Sequence, residues 1–465
     1  MNINSIGHII ITPMNPARPP HTCLFLLRPA LLLVLWAVCS TAGAQLHLPP
    51  FRLPPSLQQK ITEPLRADNL LNGSQLNDVL DLHAVRRAVI DKLLRAHPDL
   101  LEADPLGAPI VRHEILAWSP SAAGLAAART GGLSVSRVSR LDGLDQTVYV
   151  LQVADATGTA LALQTLRAID PQGVYDFNHI YIGSATSPLP KEGGDGMPMP
   201  APDGAAVPAR AFAIGLIDSG VDAGHSVFHG AAMHQWGCGG APHPAAHGTA
   251  VAALMVGQSG RFHGVAPNAG LYAADIYCDS ASGGSADQIA QALAWLAREK
   301  VAVINLSLVG PPNQLLERAV GLMLQRGHLL VAAVGNDGPA AAPLFPASYP
   351  GVVGVSAVDP QRRPLPEAAR GPQVMFAAPG SNMLSAALGT PPYAQVRGTS
   401  FAAPIVAALL AMQLERPDRE GAKNAIARLA KQAVPDASGG AGRAGNASGY
   451  GVLGESMRID PAIFR

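Results

Sequence analysis

From residue 211 onward, short apolar strands alternate with helical segments, and that alternation restricts the fold more than any other feature of the chain. The strands are expected near 211–217, 271–277, 302–308, 328–334 and 352–358, with helices after several of them. Runs such as Val301-Ala302-Val303-Ile304 and Leu329-Leu330-Val331-Ala332 are apolar at successive positions rather than alternate ones. Both faces of such strands must be covered, which requires a parallel sheet between two helical layers. The expected class is therefore α/β, a three-layer doubly wound parallel sheet. The chain has 465 residues, 48% of them hydrophobic, enough for about two or three folding units.

A smaller unit is expected upstream. Residues 109–183 read as strand, helix, two strands, helix and strand, with pieces at 110–118, 122–129, 134–140, 147–153, 159–169 and 173–182. Val148, Val150 and Gln152 alternate against Tyr149, Leu151 and Val153, the period of a strand. Leu161, Leu163 and Leu166 with Ile169 suggest a helix face. The order is that of a split βαβ, ferredoxin-like α+β module. Ahead of it, residues 45–108 are poorly defined, apart from a short amphipathic helix with Val85, Val89, Leu93 and Leu94 on one face. Between the two units, residues 184–207 are rich in Pro and Gly and form a linker that proteases would find accessible. The larger unit is 208–465. Its last 35 or so residues look loop-like. Gly440-x-Gly442-x-x-Gly445 spells a dinucleotide fingerprint without the strand and helix that would give it meaning, and is read as a loop.

Residues 1–44 have the pattern of a signal peptide: Arg18 and His21, an apolar stretch at 24–38 broken by Arg28, then Ala42-x-Ala44. Cleavage is expected before Gln45, the apolar run being too short for a membrane span. The competing reading is an uncleaved anchor, because the tail ahead of the apolar stretch is long; a start at Met14 would account for that length. The expectation is a secreted or periplasmic protein with no stable span once the signal is gone. Lys plus Arg and Asp plus Glu both number 33, so no overall field favours nucleic acid or an anionic membrane. Cys23 and Cys39 lie in the presumed signal. Cys238 and Cys278 remain as an even pair in an oxidising compartment, which suggests one disulfide, two buried free thiols being the alternative.

Three motifs bring nucleophilic chemistry into view. Asp218 follows Ile214-Gly215-Leu216-Ile217, at the carboxyl end of a strand where α/β sheets place their crevices. A carboxylate there needs a partner, and an imidazole N–H suits it. His247 opens an apolar, small-residue helix with Gly248 beside it. His225 and His243 are taken as ordinary surface or core histidines. Ser400, in Gly398-Thr399-Ser400-Phe401-Ala402-Ala403-Pro404, begins another helix, where its own N–H can face a developing oxyanion and its hydroxyl awaits a base. Asn336, in Ala333-Val334-Gly335-Asn336-Asp337-Gly338, can offer a second oxyanion donor from a turn after a strand. Singly, these are a strand-end carboxylate, a helix-start histidine, an N-cap serine and a turn asparagine.

Together, DSGV, HGTAVAAL, AVGNDGP and GTSFAAP, in the order Asp, His, Asn, Ser, resemble the subtilisin-like serine peptidases, the subtilase or S8 family, over about residues 208–455. Subtilisin has that chain order. The resemblance implies acyl transfer with His247 as base, Asp218 as its partner, Ser400 as nucleophile and Asn336 as oxyanion donor, without a redox cofactor or catalytic metal. It implies a groove at Ser307, Leu308 and Gly310 where an extended peptide adds as a strand. Val309 departs from the family's usual glycine and is expected to narrow the pocket for the residue before the scissile bond. Family members often bind structural calcium, but no ligands for it can be named here. The 109–183 module is similar by pattern to the inhibitory propeptides of such enzymes, in which case the linker contains or adjoins the maturation cut; the alternative is a stable accessory domain. The expected partners are polypeptide substrates and the chain's own propeptide, on a monomer. The rival is a catalytically silent peptide-binding protein of the same fold. An α/β-hydrolase esterase would require a Gly-x-Ser-x-Gly elbow, and the sequence has none.

Overall fold

The computed structural model describes residues 82–183, 212–241, 243–260, 262–437 and 447–464. The signal segment, the whole of the 184–207 linker and the Gly440–Gly445 fingerprint lie outside the described residues. The described residues begin with helix α1 (Leu82–Ala96) and strand β1 (Leu101–Ala103). The module follows as β2 (Pro109–Trp118), α2 (Ala122–Thr130), β3 (Ser134–Leu141), β4 (Gln146–Gln152), α3 (Thr159–Ile169) and β5 (Val174–His179). All pairs in its sheet are antiparallel: β2 with β4 and β5, β4 with β3, and β1 with the first residues of β2. This is the expected split βαβ arrangement.

Two helix faces differ from the expectation. Leu163 and Leu166 are buried on α3 as expected, but Leu161 and Ile169 are exposed, and Thr159 and Ala162 complete the buried face. The four buried residues recur at spacings of three and four, one side of a 3.6-residue period, from which Leu161 is turned away. Val89 is likewise exposed on α1.

A two-residue strand β6 (Ile182–Gly183) ends the module, and the larger unit opens with β7 (Ala213–Asp218). There follow β8 (Met233–Trp236), α4 (Ala246–Val256), the ribbon β9 (Gln258–Ser259) and β10 (Phe262–His263), β11 (Gly270–Asp275) and α5 (Ala286–Arg298). Next come β12 (Val303–Leu306), β13 (Leu308–Val309), α6 (Gln314–Gln325), β14 (Leu329–Ala333), β15 (Val353–Val358), β16 (Val374–Pro379), the pair β17 (Met383–Ala386) and β18 (Tyr393–Val396), α7 (Thr399–Ala411) and α8 (Arg419–Gln432). Seven strands form one parallel sheet in the order β16-β15-β14-β12-β7-β11-β8. The α/β three-layer reading therefore holds.

One apolar cluster joins α4 and α7 to one face of this sheet, and a second joins α5 and α6 to the other. α4 is buried on every side from Gly248 to Val256, as its unbroken small and apolar sequence requires. The second cluster also contains Leu116, Leu141, Leu144, Val148, Val150 and Tyr181 from the module. The module's other face closes a core of its own, including Ile115, Leu151, Leu163 and Tyr175.

Candidate active site

Asp218 ends β7 and is 2% exposed. Its Oδ1 accepts from the Ser219 amide at 2.7 Å, from the Ser219 hydroxyl at 3.1 Å and from His247 Nδ1 at 2.7 Å. His247 stands in the first turn of α4, one residue after Ala246. That turn lies directly on the strand end: a Cβ on Gly248 would come within 2.0 Å of the Ser219 carbonyl oxygen. Only glycine permits the approach. Burial pulls the His247 pKa down, but the charge of Asp218 and its hydrogen bond outweigh burial and hold the imidazole above its ordinary value. With Nδ1 donating to the carboxylate, Nε2 is the ring's free acceptor, and it is buried without a hydrogen-bond partner among the described residues.

Ser400 is the second residue of α7 and is fully buried. Phe401, its neighbour, packs tilted against the His247 ring with centroids 5.5 Å apart, so the helix start and the imidazole meet. Four residues beyond Ser400, Pro404 lies inside the helix. Proline has no N–H to give the Ser400 carbonyl, and the Ser307 hydroxyl donates to that oxygen instead, at 2.8 Å. This ties the proposed nucleophile's backbone to the end of the central strand β12.

On the other side, Asn336 Oδ1 accepts from the Thr399 amide at 3.1 Å, and Thr399 Oγ1 accepts from the Gly335 amide at 3.2 Å. These bonds turn the Asn336 amide nitrogen toward the start of α7. Gly398, at φ +126°, gives it room, since a Cβ there would stand 2.9 Å from Asn336 Nδ2. Thus residues from four separate segments (218, 247, 336 and 399–400) converge on one spot.

The segment expected as one strand at 302–308 breaks at Ser307. β12 stays in the main sheet, and β13 leaves it to pair antiparallel with β6, Leu308 opposite Gly183 and Val309 opposite Ile182. On its other side the same segment is held by a bridge from Ile180 to Ser285 and by the Tyr181 amide donating to Gly284 O at 2.8 Å. The chain's own residues 180–183 are thereby clamped between two backbone edges. Tyr181 is fully buried, with its hydroxyl donating to Pro311 O at 2.8 Å and its carbonyl accepting from the Tyr277 hydroxyl. Gly310 meets the Tyr181 ring, which would lie 2.4 Å from an added Cβ. Val309 faces the Gly335 turn, its Cγ1 3.7 Å from where a Cβ on Gly335 would stand.

Several contacts were not visible in the sequence. Asp176 Oδ2 accepts from the Gln314 amide at 2.7 Å, and Asn178 Oδ1 accepts from the Asp287 amide at 3.2 Å, so adjacent module side chains cap the starts of α6 and α5. Buried Asp287 also receives Arg137 Nη2 at 2.5 Å. A signal existed in retrospect: Asp176 and Asn178 alternate along β5 and so share one face. Nearby, a cleft of about 530 Å3 runs along this seam, lined by Glu114, Arg137, Asp275 and Asp287 and by the bonded pair Cys238–Cys278. Among the described residues, Cys238, Asp275 and Cys278 come close enough together to suggest a metal site. With both sulfurs joined to each other, no thiolate is left to bind one. His225 caps a short turn and its Nε2 meets Pro392 O, and His243 pairs with exposed Asp279; neither enters the site.

A sequence model of the Subtilase family matches residues 209–451. An alkaline protease of Alkalihalobacillus alcalophilus is 40% identical over 169 residues, covering 36% of this chain and 44% of that one. Subtilisin-like protease 1 of Trichophyton rubrum is 35% identical over 240 residues, covering 48% of this chain and 46% of that one. The matched part therefore spans less than half the length of either relative. Fervidolysin of Fervidobacterium pennivorans, a keratinolytic enzyme related to subtilisin, has a TM-score of 0.60 at 19% identity, over 75% of this chain and 61% of that one. At that identity the likeness bears on the fold alone.

Proposed function

The chain belongs to the subtilase family, and from that premise we propose that it is an exported serine endopeptidase made as a self-processing zymogen. His247 Nε2 takes the Ser400 proton as the hydroxyl attacks the peptide carbonyl. Asp218 holds the imidazole by Nδ1 and stabilises it once it is charged. The Ser400 N–H and Asn336 Nδ2 bind the oxyanion. His247 then gives its proton to the departing amine, and water releases the acyl-enzyme by the same steps in reverse order. The observation that carries this reading is the 2.7 Å bond from His247 Nδ1 to Asp218, with Nε2 left open beside the start of α7.

In the same reading residues 109–183 are the propeptide and β6 occupies the groove as a substrate would. β6 runs antiparallel to β13, so towards Gly183 it approaches the Ser307 end of β13, and Ser307 is bonded to Ser400. The maturation cut is therefore proposed at the very start of the 184–207 linker. Val309, crowding the Gly335 turn, would favour a small residue before the cut. Among peptides differing only at that residue, Ala and Ser are expected to be cleaved best; a preference for Phe or Tyr would remove the proposal.

Reaction with a fluorophosphonate tests the chemistry. Stoichiometric labelling of the matured wild type, lost in Ser400→Ala, is expected. Absence of labelling in a folded wild type would instead favour the silent peptide-binding protein.

A further inference from the structure

Helix α1 lies upstream of the ferredoxin-like module, in a stretch to which the sequence assigned no role. Leu82, Val85, Arg86, Ile90, Leu93 and Leu94 are its partly buried positions. Spaced by three and four, they form one stripe, and Arg86 is the only charged member of it. Its Nε lies 3.3 Å from Asp337 Oδ2, the two side chains keeping only 16% and 13% of their exposure. Burial pulls the guanidinium pKa below its usual value, opposed by the charge of Asp337. Asp337 directly follows Asn336. Leu82 reaches the next residue, its Cδ1 3.4 Å from where a Cβ on Gly338 would stand. The far end of α1 is tied to the module: Leu101 N donates to His97 O at 2.9 Å, and Arg112 N to Leu100 O at 2.8 Å.

We propose that α1 is a second inhibitory contact, which clamps the Asn336–Gly338 turn through Arg86 while β6 fills the groove. The proposal rests on the peptidase reading of the site. Two contacts carried on one N-terminal piece act together, because each holds the other at high effective concentration. Cutting the linker therefore does not open the site by itself; the piece leaves only when both contacts let go. A guanidinium and carboxylate largely removed from water are strongly coupled, so losing the guanidinium weakens the hold on the turn that carries Asp337. Arg86 is thus the position where release can be tuned without touching the groove.

The test uses the full-length chain. In the wild type, cleavage of the linker, read by mass, is expected to precede the rise in hydrolysis of a chromogenic peptide by a measurable lag. Arg86→Met keeps the stem and removes the charge, and is expected to shorten that lag at least tenfold with the same final rate. Equal lags, or no lag in either protein, overturn the proposal. The same substitution in a Ser400→Ala background is followed by hydrogen exchange. Faster exchange at 82–96 and 335–338, with 159–169 protected as before, is expected. Unchanged exchange at 335–338 overturns the clamp even where the substitution loosens the whole module. If neither protein hydrolyses peptide or takes up a fluorophosphonate, the peptidase reading has failed, and the exchange data still decide the contact.

Discussion

The two sheets of this protein are completed in different ways. The seven-stranded sheet is covered on both faces by helices of its own unit, α4 and α7 on one side and α5 and α6 on the other. The module's sheet has helices on one face only. Its other face contributes Leu116, Val148 and Val150 to the larger unit's core, and β6, which follows that sheet in the chain, pairs with β13 of the larger unit. A sheet sealed by its own chain segments can persist alone. One whose second face is finished by a neighbour folds best against that neighbour and loses much of its core on leaving. That asymmetry is what the proposed propeptide role would require.

The comparison can be broken most forcefully at the shared face. Val148→Asp would bury a carboxylate with no partner there, at a cost of several kcal/mol. In a Ser400→Ala chain, the module is expected to become sensitive to limited proteolysis while the larger unit keeps its melting behaviour; joint collapse of both would show that they are not separable. On the catalytic side, Asn336→Ala is expected to lower kcat by about 100- to 1000-fold with little change in folding, a range that includes the subtilisin measurement itself. Kinetics on matured protein would check it, and a rate within about threefold of wild type would remove Asn336 from the oxyanion site.

The smallest effect concerns pH. His247 must be neutral to accept the serine proton, and Asp218 holds its pKa above the ordinary value. The acid limb of kcat/KM is therefore expected above the ordinary histidine pKa of about 6.5. The stability effect has the opposite sense. A pKa raised by folding stabilises the fold fully below the unfolded value, and that contribution is lost as pH rises through the folded one. An acid limb below the ordinary value would contradict the pairing as described.

The four candidate site residues could be picked out in the sequence because each sits at an element boundary marked by glycines: Gly220 after Asp218, Gly248 after His247, Gly335 before Asn336 and Gly398 before Ser400. Close backbone approach demands glycine at 220 and 248, and a positive φ demands it at 335 and 398, so candidate chemistry and punctuation coincide in the sequence. The parallel sheet was legible from its continuous apolar runs. Contacts between units were not. Asp176 and Asn178 cap α6 and α5 across the seam, and Arg86 reaches Asp337 from about 250 residues away in sequence, without local periodicity to betray the partner. The break between β12 and β13 was hidden for a related reason. Residues 302–308 read as one strand, and the pairing of β13 with β6, more than a hundred residues away in sequence, leaves no local mark of the break at Ser307. Leu161 is apolar, but its angular position on α3 turns it away from the core.

The central claim is that Ser400 is a working nucleophile whose first substrate is the chain itself. The intact mass of the exported protein, wild type beside Ser400→Ala from the same host, tests it most directly. The account predicts a wild type trimmed to a start at the beginning of the 184–207 linker and a variant that keeps residues 109–183 attached. The same N-terminus on both proteins would contradict it, leaving the cut to another protease or the groove to a protein that holds peptides without cleaving them.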